Sequence, residues 1–200
     1  MVNVLRRYGI HDERVLAAMG KVRRHLFIPE NYRDRDAYGD YPCPIGHDQT
    51  ISQPYIVAYM VEKLNVRPGD KILEIGTGSA YQAAVLAECG AEVYSIEIIP
   101  ELARHAHTVL AGEGYAKVKV LTGDGHSGWP EKSPFDAIIA ACAPEAVPKT
   151  LVDQLIEGGR MILPVGCFGS QRLVILVKKN GEAFLRDDLP VRFVPMLRQK

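Results

Sequence analysis

Two stretches of this 200-residue chain hold residue types at spacings that could do chemistry. LEIGTGSAYQAA, residues 73–84, places Gly76 and Gly78 directly after an apolar run and before a helical pattern. Glycines in that context let backbone approach a ligand where no Cβ blocks it. PIGHDQTISQPYIVAYM, residues 44–60, crowds His47, Asp48, Thr50, Ser52 and Gln53 together immediately before an apolar helical repeat. Such a loop could cap the helix, hold a substrate, or do both. The cap reading makes Ser52 the N-cap, with Pro54 in the first turn.

The glycine loop excludes two phosphate-binding readings. A dinucleotide fingerprint needs a third glycine where Tyr81 stands, and a P-loop needs a Lys-Ser or Lys-Thr pair that does not follow. Glu97 closes the next apolar run, EVYSIE, at the place where an acidic side chain takes ribose hydroxyls. TGDG, residues 122–125, closes a third run and puts Asp124 and Gly125 over the same crevice. A ligand with a ribose and an adenine, but without phosphates to cradle, fits this set: S-adenosylmethionine, leaving S-adenosylhomocysteine as product. The bland alternative is a set of tight turns and a helix cap.

These residues need a scaffold, and the periodicity supplies one. DERVLAAMGKVRRHLF has a helical repeat through Val15, Leu16, Met19, Val22 and Leu26, with Asp12 placed to cap it. Residues 29–49 are polar and turn-rich, so they read as irregular. A helix follows Pro54 and closes at Asn65. Strands are expected at KILEIG, EVYSIE, VKVLTGD, FDAIIAACA and RMILPVG, with helices at 81–89, 100–113 and 147–159, the last ended by Gly158 and Gly159. Residues 171–189 read as two strands around an Asn-Gly turn. Alternating strands and helices imply an α/β fold. It should be Rossmann-like and doubly wound: a mostly parallel sheet with a C-terminal antiparallel hairpin and an N-terminal helical extension.

Lys and Arg number 24, as do Asp and Glu, and 47% of residues are hydrophobic. A balanced charge offers no general pull towards nucleic acid or an anionic membrane. Cys43, Cys89, Cys142 and Cys167 are far apart and form no C-x-x-C pair, so no metal is expected. They read as buried small side chains in a reducing compartment. His105 and His107, two apart on a helix, face different directions. No run approaches the roughly 18 apolar residues of a spanning helix. We therefore expect one cytoplasmic domain over residues 1–200. Residues 1–53 form its helical and substrate-loop region, and 54–200 its cofactor-binding core and hairpin.

LEIGTGSAYQAA resembles the first motif of class I S-adenosylmethionine-dependent methyltransferases. With PIGHDQTISQPYIVA before it and VRFVP near the C-terminus, the chain resembles the protein-L-isoaspartate O-methyltransferase family over nearly its whole length. The resemblance implies an enzyme that methylates the free carboxylate of L-isoaspartyl residues in damaged proteins and peptides; a monomer is expected. The ester then leads to repair through a succinimide. It makes Ser52 the active-site hydroxyl, with Thr50, Ile51 and Gln53 shaping the substrate site. Residues 191–195, Val194 among them, would fold back to bind substrate main chain. Gly76, Gly78 and Ser79 would approach the methionine part of the cofactor, Glu97 the ribose, and Asp124 with Gly125 the adenine. Ala80 and Asp48 stand where the family usually has glycine, and Asp48 brings a negative charge beside the substrate loop. Three rival readings stay open: a serine hydrolase using Ser52 and His47, a methyltransferase of nucleic acid or small molecules, and a cofactor-binding protein without turnover. The first lacks a G-x-S-x-G elbow.

Overall fold

The computed structural model describes residues 1–30, 37–167 and 169–198. Helix α1 spans Val2–Arg7 and α2 spans Glu13–Lys21. Asp12 caps α2 as expected: its carboxylate accepts from the N–H groups of Arg14 and Val15, donors that a helix start leaves unpaired. The helix stops earlier than its repeat implies. Val22 is extended and Arg24–Phe27 forms a 3-10 turn. The break buries Phe27 and Ile28, where a continued helix would have offered Leu26 to the core.

Part of the stretch expected to be irregular, residues 31–36, lies outside the described residues. Its end forms regular strands instead. Strands β1 (Cys43–Gly46) and β2 (Gln49–Ile51) form an antiparallel hairpin whose turn is His47-Asp48, at φ 52° and 56°. Two left-handed residues make the turn whose twist matches a hairpin, although glycine is the side chain best suited to it. The position of Asp48 therefore favours glycine for backbone reasons, and Asp48 occupies it with its side chain exposed. The alternation of buried Cys43 and Ile45 around exposed Pro44 is too short to stand out among turn residues.

Helix α3 covers Pro54–Leu64 and ends on Asn65 in the left-handed conformation. Then come β3 (Lys71–Ile75), α4 (Tyr81–Glu88), β4 (Glu92–Glu97), α5 (Pro100–Gly112), β5 (Lys119–Thr122) and β6 (Phe135–Ala140). Helix α6 is only Lys149–Asp153, and β7 begins at once, as Leu155–Val165. The helix expected over 147–159 is thus corrected. Gly158 and Gly159 lie inside β7, where the register with β6 jumps from Phe135↔Leu155 to Ala137↔Arg160. Glycine within a strand marks such an irregularity, and Gly158 takes φ 77° there. Strands β8 (Arg172–Lys179) and β9 (Glu182–Pro190) turn on Asn180-Gly181, as the sequence predicts.

The sheet order is β5-β4-β3-β6-β7-β8-β9, parallel from β5 to β7 and antiparallel at β8 and β9. The chain runs outward from β3 through β4 to β5, then returns to place β6 on the other side of β3. A crevice opens at the carboxyl ends of strands where the winding reverses in this way. Side chains alternate across the sheet. Ile72, Val93 and Ile139 join one core with α2, α3 and α4, while Leu73, Ile75, Ile96 and Ile138 join a second. Cys43, Cys89 and Cys142 are buried, but Cys167 is exposed, contrary to the expectation for all four. Among the described residues no helix is long and apolar enough to cross a membrane.

Candidate active site

The loop between β3 and α4 curls left-handed at Gly76 (φ 88°), Gly78 (φ 51°) and Ala80 (φ 67°). A Cβ at Gly76 would lie 3.4 Å from Cys142 Sγ, and one at Gly78 would lie 3.4 Å from the Ile45 side chain. Both positions therefore keep backbone bare along a cleft wall. Ala80 is fully buried at the helix start and, like Asp48, holds a left-handed backbone that would suit glycine better. Tyr81, at the third-glycine position of a dinucleotide site, is buried. Its ring lies 5.1 Å from the Arg24 guanidinium and 5.8 Å from Phe27. The helix N-terminus is thus sealed by packing against the N-terminal region.

Glu97, at the end of β4, is 4% exposed. Its Oε2 accepts from Gly78 N–H at 2.7 Å and its Oε1 from Ile99 N–H at 3.0 Å. Each carboxylate oxygen has a second lone pair, so both can still accept from a diol. The cleft around it encloses about 760 Å³, part of it open to solvent. Glu97 and the glycine loop line it, and Gly125, Ala141 and Cys142 are among its other lining residues. Gly125 must be glycine to pack against β3, since a Cβ would come within 2.3 Å of the Ile75 side chain. Asp124 does not line this cleft; its Oδ1 accepts from His126 N–H at 2.8 Å and caps a short 3-10 turn.

A second cleft lies alongside, between the residue 50–56 segment and the C-terminal strap after β9. Thr50, Ser52, Ala141 and Val194 line both clefts and so form their common wall. Ile51 faces only the first, and Gln53 only the second. Ser52 is not the helix cap. Gln53 takes the N-cap position of α3 without a side-chain bond. The carboxylate of Asp40 replaces it, accepting from Tyr55 N–H at 2.8 Å and from Gln53 Nε2 at 2.8 Å. Asp40 therefore leaves the Ser52 hydroxyl free at the junction; no described residue bonds it. His47, weighed as a base for Ser52, is exposed at the hairpin turn and lines neither cleft, as does Asp48. Trp129 packs edge-on against Tyr94, 5.5 Å away, outside the cleft, while His126 reaches the Met196 carbonyl.

Behind the glycine loop lies a polar chain that sequence reading overlooked. Thr77 lines the first cleft, and its Oγ1 is 2.6 Å from Ser95 Oγ. Ser95 Oγ is 2.5 Å from Glu74 Oε2, and Gln82 Nε2 donates to Glu74 Oε1 at 3.2 Å. Full burial pushes the Glu74 carboxyl up to about 8, despite these hydrogen bonds to Ser95 and Gln82. The folded protein then holds a proton between the ordinary value of 4.5 and about 8 that the unfolded chain releases. The stability from this group is complete below pH 4.5 and is lost as pH rises through 8, by at most about 1.4 kcal/mol per unit. Glu74→Gln copies the protonated form, so denaturation curves from pH 5 to 9 should show a flatter pH dependence for the variant. Parallel pH profiles for the two proteins would refute the assignment.

The residue set fits S-adenosylmethionine on its own chemistry: bare backbone at Gly76 and Gly78, and a carboxylate with open lone pairs at Glu97. Among the described residues no group of three or more His, Cys, Asp or Glu side chains could hold a metal ion. Comparison with known proteins agrees with this chemistry. The family model for protein-L-isoaspartate(D-aspartate) O-methyltransferase matches residues 1–200. A protein-L-isoaspartate O-methyltransferase of Gloeobacter violaceus is 55% identical over 197 residues, covering 98% of this chain and 96% of that protein. One of Opitutus terrae is 54% identical over 192 residues, covering 96% of this chain and 82% of that one. A solved structure from Plasmodium falciparum, described as the same kind of enzyme in complex with S-adenosyl-L-homocysteine, superposes with a TM-score of 0.88. It is 27% identical and covers 99% of this chain and 97% of that one. A further solved protein-L-isoaspartate O-methyltransferase is 29% identical with a TM-score of 0.88; this chain spans 97% of its own length and 64% of that longer chain.

Proposed function

The chain belongs to the protein-L-isoaspartate(D-aspartate) O-methyltransferase family, and from that membership we propose that its paired clefts methylate the free carboxylate of L-isoaspartyl residues. The observation that carries this reading is the common wall: Ser52, Thr50, Ala141 and Val194 face a cofactor cleft on one side and a peptide-sized groove on the other. When bound, S-adenosylmethionine supplies a methyl group made electrophilic by its positive sulfur, which a carboxylate oxygen can take without further activation. Glu97 accepts the ribose hydroxyls, Gly76, Gly78 and Ser79 admit the methionine part, and Gly125 shapes the adenine end, with Asp124 acting only from outside the cleft by capping the turn that holds Gly125. Ser52 donates to one substrate oxygen and leaves the other facing the cofactor cleft. Thr50, Ile51, Gln53 and Val194 shape the space around it. A carboxylate has a reference pKa of about 3.5–4, so no general base is required. The remaining task is to desolvate it and hold it in line. Residues 1–200 work as one methyltransferase domain, a cytoplasmic monomer whose partners are isoaspartyl proteins and peptides, with neither nucleic acid nor a membrane among them.

Labelled methyl transfer to an isoaspartyl peptide, run beside its normal aspartyl counterpart, tests the reading. Base-labile ester on the isoaspartyl peptide alone is the expected result. Transfer to RNA, or cofactor binding without transfer to either peptide, would overturn it.

A further inference from the structure

The C-terminal strap, residues 190–197, borders both clefts, and two different devices hold it. On the cofactor side it pairs like a strand: Ala143 N–H donates to the Val194 carbonyl at 2.8 Å, and Met196 N–H donates to the Ala143 carbonyl at 2.8 Å. On the peptide side one side chain takes the place of a strand edge. Gln171 Oε1 accepts from Phe193 N–H at 2.6 Å, and Gln171 Nε2 donates to the Phe193 carbonyl at 3.1 Å. Its own backbone carbonyl accepts from Val191 N–H at 3.0 Å. Gln171 is 3% exposed, and Phe193 is 8% exposed with its ring in the main core. Buried backbone groups need partners, and a carboxamide can satisfy one donor and one acceptor of a single residue at once. Residues 190–194 form one wall of the second cleft.

We propose that Gln171 is a positioning residue for peptide recognition: by clamping both backbone groups of Phe193 it sets the strap wall against which the substrate lies. This inference rests on the second cleft being the peptide site. Gln171 lines neither cleft, so it acts only through Phe193 and its neighbours. The Ala143 pairing is independent of it, which separates the two sides of the strap. Loosening the Gln171 clamp should disturb peptide binding and leave the cofactor cleft in place.

The test compares Gln171→Ala, which removes both bonds, with Gln171→Glu, which keeps an acceptor for Phe193 N–H but sets oxygen against the Phe193 carbonyl. Steady-state kinetics with an isoaspartyl peptide should show KM raised about ten-fold or more in both variants, with kcat within about three-fold of the parent. Calorimetric affinity for S-adenosylhomocysteine should stay within about two-fold. If the alanine variant does not fold, the near-isosteric glutamate variant decides. Unchanged KM in a folded variant would overturn the proposal, and so would equal losses of peptide and cofactor affinity. An inactive parent protein that still binds S-adenosylhomocysteine would instead overturn the assigned reaction, so the two failures are distinct.

Discussion

Glu97→Ala should bind S-adenosylhomocysteine about a hundred- to a thousand-fold more weakly than the parent, with both proteins folded. The side chain does two jobs in a nearly closed setting. Its oxygens hold the N–H groups of Gly78 and Ile99, which fixes the glycine loop relative to the end of β4. In the proposed cofactor complex their remaining lone pairs receive the ribose hydroxyls. Hydrogen bonds to a charged acceptor contribute about 1.5–3 kcal/mol each, so losing the pair accounts for the affinity change. The unpaired N–H groups add a separate cost of about 1–3 kcal/mol apiece to the fold, unless water reaches them. Glu97→Gln is no gentle control here. One end of its amide is a donor and must face Gly78 N–H or Ile99 N–H, donor against donor. It should therefore lose much of the affinity despite its matching shape. Calorimetry with S-adenosylhomocysteine measures the binding, and a thermal melt with and without ligand measures the coupling. The parent should gain stability on adding ligand while Glu97→Ala gains almost none. Affinity within a few-fold of the parent in both variants would remove Glu97 from the cofactor site.

The parts of this protein that were legible in the sequence are those whose causes are local. Strands β3 and β4 follow from apolar runs, the Asn180-Gly181 turn from two residues able to adopt positive φ, and the α2 cap from Asp12 alone. Gly76, Gly78 and Glu97 meet because a doubly wound sheet brings the ends of neighbouring parallel strands together, and β3 pairs with β4 as that rule expects. What was not legible depends on residues distant along the chain. Asp40 caps α3 from 15 positions before Tyr55. That displaced Ser52 from the cap role, because the local pattern Ser-Gln-Pro offers a nearer candidate. Gln171 reaches Phe193 across 22 positions, and nothing around a glutamine at the edge of β8 signals that it will serve as a strand edge. Gly158-Gly159 misled for a different reason. Glycine ends helices and also relaxes irregular strands, and only pairing with β6 shows which role applies. Ala141 and Cys142 could have been found, since they follow the strand beside β3 at the switch point. Their apolar character concealed them.

Ser52→Ala should lower kcat about a hundred-fold while leaving S-adenosylhomocysteine affinity unchanged. The structure sharpens this expectation by removing the competing use of the hydroxyl. Asp40 supplies the helix cap, so Ser52→Ala does not cost α3 its N-terminal partner, and the variant should melt close to the parent temperature. The position of Ser52 on the common wall limits what it can do. Donation to the attacking oxygen would stabilise the charge that must be given up on methylation, slowing the reaction. Donation to the other oxygen fixes the carboxylate without blunting its nucleophile. A positioning effect of this kind commonly reaches about a hundred-fold when a reacting group is free to swing by an ångström. The pH profile separates this role from a chemical one. An orienting hydroxyl adds no ionisation of its own, so Ser52→Ala should lower the kcat profile at every pH without changing its shape. A serine acting as nucleophile would leave the alanine variant without turnover. A serine needing a base would tie the parent's activity to a titrating partner, and His47 lines neither cleft. Full turnover by a folded, cofactor-binding Ser52→Ala protein would move the orienting role to another group on the same wall, where the Thr50 hydroxyl stands.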